Sequence, residues 1–254
     1  MMKNYMKSHI MIRGSSIREG PARDGCRRPR PGVEGWPEAA RAASGRCLAL
    51  AILVPASPLI LALAALIRLT SPGPSFYRQV RRGLHGRPFL IVKLRTMTHL
   101  CEAKTGACWS TPGDPRVTRL GRFLRDSHLD ELPQLWNVIR GEMGLIGPRP
   151  ERPELTPRLE REIPRYRERE SVRPGMTGLS QVTLPADVEI GDVRAKVECD
   201  LRYIDGRSAR LDITILALTA LKVVFGVMRA TRSVARAIAR RPDDPQGPPR
   251  VRLG

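Results

Sequence analysis

The pattern of apolar and polar positions divides the chain into a long uncharged segment, a mixed middle region and two polar ends. Residues 47–67 carry no charged side chain. This run is long enough for a helix to cross a bilayer, which takes roughly 20 apolar residues. Pro55 and Pro58 lie near its middle with Ser57 between them, and each proline removes one helix hydrogen bond. The pattern therefore predicts a kinked apolar helix.

Both flanks of this apolar helix are basic. Arg41 and Arg46 precede it, and Arg68 and Arg78 follow it. Because basic flanks tend to stay in the cytoplasm, both ends of the helix are expected on the same side of a membrane. We therefore favour a re-entrant membrane helix over residues 45–70, which enters the bilayer and returns. A true span and a buried helix of a soluble protein are the alternatives.

The residues after the apolar helix show alternating strand, helix and loop patterns. They predict an α/β fold that is mostly helical, with a small β-hairpin. Arginines recur at every third or fourth position near the end of the chain, a basic amphipathic pattern typical of helices on anionic lipid. The predicted elements are strands at 75–82 and 87–93, a loop at 141–150, helices at 116–126, 130–139, 192–204 and 211–228, and the basic segment at 229–241.

The composition of the two ends differs from that of the middle. Gly, Pro and Arg dominate residues 1–44, where no apolar periodicity appears, so a disordered basic tail is expected there. A second basic, partly disordered tail is expected over 229–254. Between the tails we expect the re-entrant membrane helix and one cytosolic domain over 71–228.

The net charge of the chain is +19. Such a charge attracts phosphate groups of nucleic acid, anionic lipid or a phosphorylated substrate. Aromatic residues make up only 4% of the chain, and no nucleic-acid-binding motif appears, which argues against nucleic acid as the partner. A basic nucleic-acid-binding protein and a membrane-surface scaffold without catalysis are kept as alternatives.

The cysteines indicate neither a disulfide framework nor a metal site. There are five, irregularly spaced and without a Cys-x-x-Cys pair, so a reducing compartment is favoured over a disulfide framework. His99, Cys101 and Cys108 lie close together in the sequence. No second ligand pair with zinc spacing follows them, so a zinc site is not favoured.

An acidic pair, Asp130 and Glu131, precedes a run that is compatible with a helix. The helix dipole stabilises ionised carboxylates near an N-terminus, and carboxylate oxygens bind Mg²⁺. A carboxylate can also attack phosphorus and form an aspartyl phosphate. Taken alone, such a pair is more often a helix cap than a catalytic centre.

Basic residues accompany the acidic pair, several of them in rigid loops rich in Pro and Gly. Guanidinium groups bind phosphate oxygens with two parallel hydrogen bonds. Several cations around two carboxylates have the composition of a site that holds a diphosphate with Mg²⁺. The candidate phosphate-binding residues are Lys93, Arg95, Arg125, Arg149 and Arg173.

Ordered motifs extend over roughly residues 46–225. They are Ser71-Pro72-Gly73-Pro74, Lys93-Leu94-Arg95-Thr96-Met97, Asp114-Pro115-Arg116-Val117-Thr118, Gly121-Arg122-Phe123-Leu124-Arg125, Leu129-Asp130-Glu131-Leu132-Pro133-Gln134-Leu135-Trp136-Asn137-Val138, Gly147-Pro148-Arg149-Pro150-Glu151 and Arg173-Pro174-Gly175-Met176-Thr177-Gly178. In this order the chain resembles the bacterial sugar transferase family, the monotopic phosphoglycosyl transferases.

The resemblance implies an enzyme that moves a sugar 1-phosphate from a UDP-sugar to polyprenyl (undecaprenyl) phosphate and releases UMP. It implies that Asp130 attacks the β-phosphorus and forms a covalent phosphosugar, and that Glu131 assists with Mg²⁺ or the acceptor. Arg125 and Arg149 match phosphate-binding positions. The implied reaction is the first membrane step of exopolysaccharide, capsule, O-antigen or glycoconjugate synthesis.

The resemblance also implies a location and a set of partners. Ser57 and Pro58 match the break in the family's re-entrant helix. The protein is expected at the bacterial inner membrane with its phosphoglycosyl transferase domain facing the cytoplasm. Its expected partners are a UDP-sugar, polyprenyl phosphate and membrane lipid, without nucleic acid. Mg²⁺ is the expected cofactor, with Asp130 and Glu131 as its ligands.

Some positions depart from the family pattern. His128 stands where the family usually has Ser or Thr, and we expect it to be a bystander. Leu179 and Ser180 replace a Trp-Ala step, and the usual Asn-Trp is absent after Asp205. The identity of the sugar and the pathway therefore stay open.

Overall fold

The computed structural model describes residues 37–102, 106, 110–111, 113–185 and 189–239, with side chains as far as 232. Its described part is mostly helical with two small two-stranded sheets, which confirms the predicted composition of the fold. Short 3₁₀ segments at Leu84–Gly86, Leu129–Gln134 and Tyr166–Ser171 join the main elements. These elements are α1 (Glu38–Thr70), β1 (Phe76–Arg82), β2 (Pro88–Leu94), α2 (Arg119–Ser127), α3 (Leu135–Ile139), β3 (Gly144–Ile146), α4 (Thr156–Glu162), β4 (Gly175–Thr177), α5 (Leu179–Thr183), α6 (Ile190–Asp205) and α7 (Ala209–Ala239).

Helix α1 is longer than the apolar run alone predicts. It begins at Glu38 and continues through Pro55 and Pro58 to Thr70. The additional N-terminal turns are rich in alanine, the residue with the highest helix propensity, so they extend the helix into the segment expected to be a tail. The rest of that predicted tail, residues 1–36, lies outside the described residues.

The two halves of α1 pack against the same folded body. In the first half, Ala49 lies in a buried cluster with Ile91 and Leu135. In the second half, Ile67 lies in a buried cluster with Leu124. Burial of these side chains stabilises the docking of both halves, at roughly 25 cal/mol per Å² of apolar surface removed from water. Each half of the helix is therefore attached to the folded domain by buried contacts.

Two helices are long and apolar enough to cross a membrane. They are α1, with a mean hydropathy of 2.5, and residues 209–232 of α7, with a mean hydropathy of 2.0. Both leave large apolar side chains exposed, among them Leu61, Leu69 and Ile213. An apolar surface of this kind is typical of contact with lipid or a partner. The two segments predicted at 211–228 and 229–241 join in the single helix α7, and residues 240–254 lie outside the described residues.

The predicted hairpin is present. Strands β1 and β2 pair antiparallel, with Phe76 opposite Leu94 and Arg82 opposite Pro88. In the connecting turn, His85 adopts a left-handed conformation with φ 54°. Strand β2 also packs against the Leu129–Gln134 segment. The hairpin therefore carries the end of β2 to the acidic pair.

The second sheet differs from the prediction of a loop over residues 141–150. Strands β3 and β4 pair parallel, and they are held further by hydrogen bonds from Gly144 N to Pro174 O (2.8 Å) and from Gly175 N to Pro148 O (2.9 Å). A side chain on Gly147 or Gly175 would overlap the opposite backbone. This close approach fixes the two Pro/Gly loops that carry candidate arginines against each other.

Helix α2 begins at Arg119, three residues later than predicted, because Thr118 is its N-cap. The Thr118 hydroxyl accepts a hydrogen bond from Gly121 N at 2.9 Å, which satisfies one of the free amides of the first turn. The helix ends at Ser127, and the left-handed conformation of its C-cap residue His128 (φ 58°) turns the chain into the next 3₁₀ segment. This turn places Arg125 near the acidic pair that follows.

Candidate active site

Asp130 lies in the first turn of the 3₁₀ segment and is only 8% exposed. No group in the described part of the chain donates a hydrogen bond to its carboxylate. Burial and the neighbouring charge of Glu131 raise the pKa of Asp130, and Lys93 and Arg125 offset only part of this shift. The carboxylate is therefore more basic than an ordinary aspartate, which strengthens it as a nucleophile.

Glu131 is held by two cations. Lys93 Nζ and Arg149 Nη2 each donate to its Oε1 atom at 2.7 Å. Burial alone would raise the pKa of Glu131, but Arg149 and Lys93 outweigh burial and lower this pKa well below its usual range. Glu131 is therefore a fixed, ionised carboxylate, whose Oε2 atom takes no hydrogen bond from the described residues.

The environment thus gives the two adjacent carboxylates different properties. Asp130 is buried and basic, with no hydrogen-bond donor among the described residues, whereas Glu131 is ionised and its charge is balanced by Lys93 and Arg149. Carboxylates whose surroundings move their pKa values apart are typical of sites that divide chemical roles. The Arg149 side chain is 39% exposed, against 15% for Lys93, so Arg149 is the more open of the two cations to an anionic ligand.

Arg125 completes the positive surroundings of Asp130. Its Nε atom donates to Thr96 Oγ1 at 2.8 Å, and its Nη1 atom donates to Ser110 Oγ at 2.7 Å. Ser110 in turn donates to Asp114 Oδ2. Sequence reasoning missed this support, because hydroxyl side chains are common in loops and the contact spans 29 residues. Thr96 could be singled out only as a member of a family motif.

Two of the predicted phosphate-binding residues have other partners. Arg95 is 5% exposed and donates to Pro72 O (2.5 Å) and Ser71 O (2.7 Å), so it ties the end of α1 to β2. Arg173 donates to Glu38 Oε1 at 2.8 Å and to Gly141 O at 3.3 Å. Both guanidinium groups thus bind partners other than the acidic pair, and their binding of phosphate stays a prediction.

The remaining residues singled out by sequence lie outside the carboxylate cluster or at its edge. Ser57 and Pro58 lie on an exposed part of α1, where Ser57 Oγ donates to Val54 O at 2.8 Å. His128 is exposed at the turn before Asp130, and partial burial of its ring lowers its pKa. The predicted roles of these residues stay predictions.

The donor set of the acidic pair fits Mg²⁺. This ion is usually bound by one or two carboxylates together with substrate phosphates and water, rather than by a complete protein cage. Asp130 supplies two oxygens that accept no hydrogen bond from the described part of the chain, and Glu131 supplies Oε2. Among the described residues there is no cluster of three or more metal-ligating side chains, so a cation here would depend on ligands from the substrate.

Comparison with known proteins gives consistent similarities. The family model described as "Bacterial sugar transferase" matches residues 36–226. A UDP-N-acetylgalactosamine-undecaprenyl-phosphate N-acetylgalactosaminephosphotransferase of Aeromonas hydrophila is 44% identical over 180 residues, which cover 70% of this chain and 42% of the relative. A UDP-glucose:undecaprenyl-phosphate glucose-1-phosphate transferase of Xanthomonas campestris pv. campestris is 41% identical over 187 residues, covering 73% of this chain and 39% of the relative.

A second protein with that glucose transferase name, from Caulobacter vibrioides, is 45% identical over 165 residues, which cover 64% of this chain and 61% of the relative. The chain thus spans about two fifths to three fifths of the length of these curated relatives. Their names specify two different sugars. The similarity therefore extends over the acidic pair and its cations but leaves the sugar undetermined.

Proposed function

Because the chain belongs to the bacterial sugar transferase family, we propose that it transfers a sugar 1-phosphate from a UDP-sugar to polyprenyl (undecaprenyl) phosphate and releases UMP. The contrast between Asp130 and Glu131 is the observation that carries the proposal. One buried carboxylate is basic and accepts no hydrogen bond from the residues that the structure describes, while its neighbour is fixed by two cations. The names of the relatives support the class of donor and acceptor.

Asp130 acts as the nucleophile in the first half of the reaction. A carboxylate oxygen attacks the β-phosphorus of the UDP-sugar, and the bond between this phosphorus and the bridging oxygen breaks. That oxygen leaves with UMP, and the sugar phosphate stays on Asp130 as an acyl phosphate. Arg125 and Arg149 lie close enough to influence the charge of Asp130, so they are placed to stabilise negative charge on the phosphoryl oxygens.

The acceptor completes the reaction. An oxygen of polyprenyl phosphate attacks the same phosphorus, the acyl phosphate bond breaks, and Asp130 regains its carboxylate. The product is a polyprenyl diphosphate sugar. Because Glu131 is held ionised by Lys93 and Arg149, it stays in place through both halves. This product is the lipid-linked starting unit of an exopolysaccharide, capsule, O-antigen or glycoconjugate.

Asp130 and Glu131 are proposed to hold Mg²⁺ together with the substrate phosphates. When bound, the ion would neutralise negative charge on the diphosphate and polarise it toward attack. Lys93, Arg125 and Arg149 supply further positive charge at the same place.

The chain is proposed to attach to the cytoplasmic face of the inner membrane through a re-entrant α1. Ala49 in the first half of α1 and Ile67 in the second half pack on the same domain, which supports a location of both ends on one side. The basic flanks of the apolar run favour the cytoplasmic side. Ser57 and Pro58 are the proposed point where the helix turns back, since Pro58 lacks the amide hydrogen that a helix needs.

Release of UMP tests the proposed activity. The full chain in detergent or nanodiscs, supplied with undecaprenyl phosphate and a panel of UDP-sugars, is expected to release UMP with at least one sugar and to form a polyprenyl diphosphate sugar of matching mass. If the preparation binds DNA tightly but releases no UMP from any UDP-sugar, the nucleic-acid-binding alternative would be favoured instead.

Removal of divalent cations tests the proposed cofactor. Treatment with EDTA is expected to lower UMP release by at least about a hundredfold, because the diphosphate would lose its main neutralising charge. Added Mg²⁺ should restore the rate. Undiminished turnover in EDTA would show that Lys93, Arg125 and Arg149 suffice without a metal.

Cysteine labelling tests the path of α1. In a chain whose five native cysteines are replaced, Ala40→Cys and Pro74→Cys are placed on either side of the apolar run. A membrane-impermeant maleimide added to the periplasmic side of intact cells is expected to label neither position until the membrane is opened. Labelling of one position alone would indicate a true span and contradict the re-entrant path.

A further inference from the structure

A cavity of about 230 Å³ lies between the first turns of α1, the start of α7 and strand β3. Its walls are largely apolar and include Leu48, Met143, Ile146 and Leu216. None of the residues that line it belongs to the acidic pair or to the cations that hold Glu131. The cavity is therefore separate from the proposed active site.

The charged side chains that line this cavity are mostly basic. Both carboxylates in the lining form ion pairs with arginines. Glu38 accepts from Arg173 and Arg207, and Asp212 accepts from Arg41. The charged side chains in the lining are four arginines and two acids, an excess of positive charge. These residues are Glu38, Arg41, Arg46, Arg173, Arg207 and Asp212.

Arg46 is the arginine available to a ligand. No residue in the described part of the chain forms a hydrogen bond or an ion pair with its guanidinium. This group lies over Gly141, where a side chain would collide with it, and Gly141 has the positive φ of 78° that glycine adopts readily. Gly141 O also accepts from Arg173. Two arginines that line the cavity thus meet at Gly141.

We infer that this cavity binds one anionic phospholipid, with its phosphate at Arg46 and the start of its acyl chains against the apolar walls. A free phosphate would satisfy the arginines but would leave those walls unused. The lining also includes Leu48 and Ile213, whose side chains are exposed on the two most apolar helices, so the rest of each acyl chain continues along surface suited to lipid. The inference rests on the proposed membrane attachment.

Native mass spectrometry of the delipidated full chain in detergent, titrated with phosphatidylglycerol or phosphatidylcholine, tests this site. We expect one saturable phosphatidylglycerol adduct on the wild type and weaker binding of phosphatidylcholine. Arg46→Gln is expected to weaken phosphatidylglycerol binding about fivefold, the scale of one basic residue at an anionic membrane. Ala42→Trp, which fills the cavity without changing its charge, should weaken it at least as much.

Arg158→Gln is the matched control, since Arg158 pairs with Glu162 on the exposed surface of α4, and it should bind phosphatidylglycerol like the wild type. Equal binding of both lipids, unchanged binding by Arg46→Gln and Ala42→Trp, or displacement of the lipid by millimolar inorganic phosphate would overturn the inference. A dimer mass in place of the lipid adduct would assign the cavity to a second copy and overturn it as well. UMP release by the same wild-type sample separates failure of this site from failure of the proposed function.

Discussion

Replacement of Asp130 by asparagine is expected to abolish sugar-phosphate transfer without destabilising the protein. The amide has the size of the carboxylate but is not a nucleophile toward phosphorus, so turnover should fall by about a thousandfold or more. Because burial and Glu131 raise the pKa of Asp130, the ionised side chain is disfavoured in the folded state. The neutral amide should therefore leave the thermal midpoint unchanged or raise it.

The measurement is UMP release alongside thermal unfolding in the same detergent. Asp126→Asn is the matched control, because it makes the same chemical change four residues earlier. The Asp126 side chain is 40% exposed and lies 4.0 Å from Arg229, so this variant should retain activity. Intact mass of the wild type with UDP-sugar and no acceptor should show a phosphosugar adduct that Asp130→Asn lacks. Full turnover by Asp130→Asn would exclude Asp130 as the nucleophile. A large loss of stability in this variant would show that the carboxylate has a structural role.

The sequence predicted those helices and strands whose apolar pattern lies within one continuous segment. The uncharged run predicted most of α1, and the alternating residues around a short turn predicted the hairpin of β1 and β2, because both signals lie within one element. The pairing of Gly144–Ile146 with Gly175–Thr177 was missed. Strands of three residues carry no periodicity, and their partner lies about 30 positions away, so only the tertiary fold brings them together.

For the candidate site, the sequence indicated the basic residues but not their partners. The residue pattern alone put Lys93, Arg95, Arg149 and Arg173 on an equal footing, since each is a cation beside a strand or in a rigid loop. The family resemblance singled out Arg149 among these four. The structure separates them by their partners. Lys93 and Arg149 meet at Glu131, while Arg95 and Arg173 are directed to backbone carbonyls and Glu38. A sequence motif can indicate that a basic residue matters, but its partner is set by contacts between distant segments.

A buried ion pair behind the site was also invisible to sequence reasoning. Asp200 on α6 is 1% exposed, and it accepts from Arg169 Nη2 at 2.6 Å and from Ser180 Oγ at 2.7 Å. The same Arg169 nitrogen donates to Arg149 O at 2.9 Å. Arg169 therefore connects α6 to the backbone of the residue that holds Glu131.

Asp200→Ala is expected to be the most destabilising of the substitutions considered for this chain. It would leave the buried guanidinium of Arg169 without its counter-charge, which costs about 3–5 kcal/mol. For a chain of this size the thermal midpoint should fall by roughly 10 °C. Glu162→Ala is the matched control, because it removes the acceptor of the exposed Arg158 pair and should cost less than about 0.5 kcal/mol. Thermal unfolding in detergent measures both.

The double variant Arg169→Met/Asp200→Leu separates charge from packing. Asp200→Ala leaves the buried guanidinium of Arg169 without its acceptor, so part of the cost of this substitution is the isolated charge that remains. Replacing both partners by apolar side chains removes that charge and should recover a large part of the lost stability. It also removes the hydrogen bond to Arg149 O, so UMP release well below the midpoint should stay reduced. If the double variant recovers both stability and activity, Arg169 does not position Arg149. Equal thermal midpoints for Asp200→Ala and Glu162→Ala would contradict the prediction that the buried ion pair contributes more stability than the exposed one.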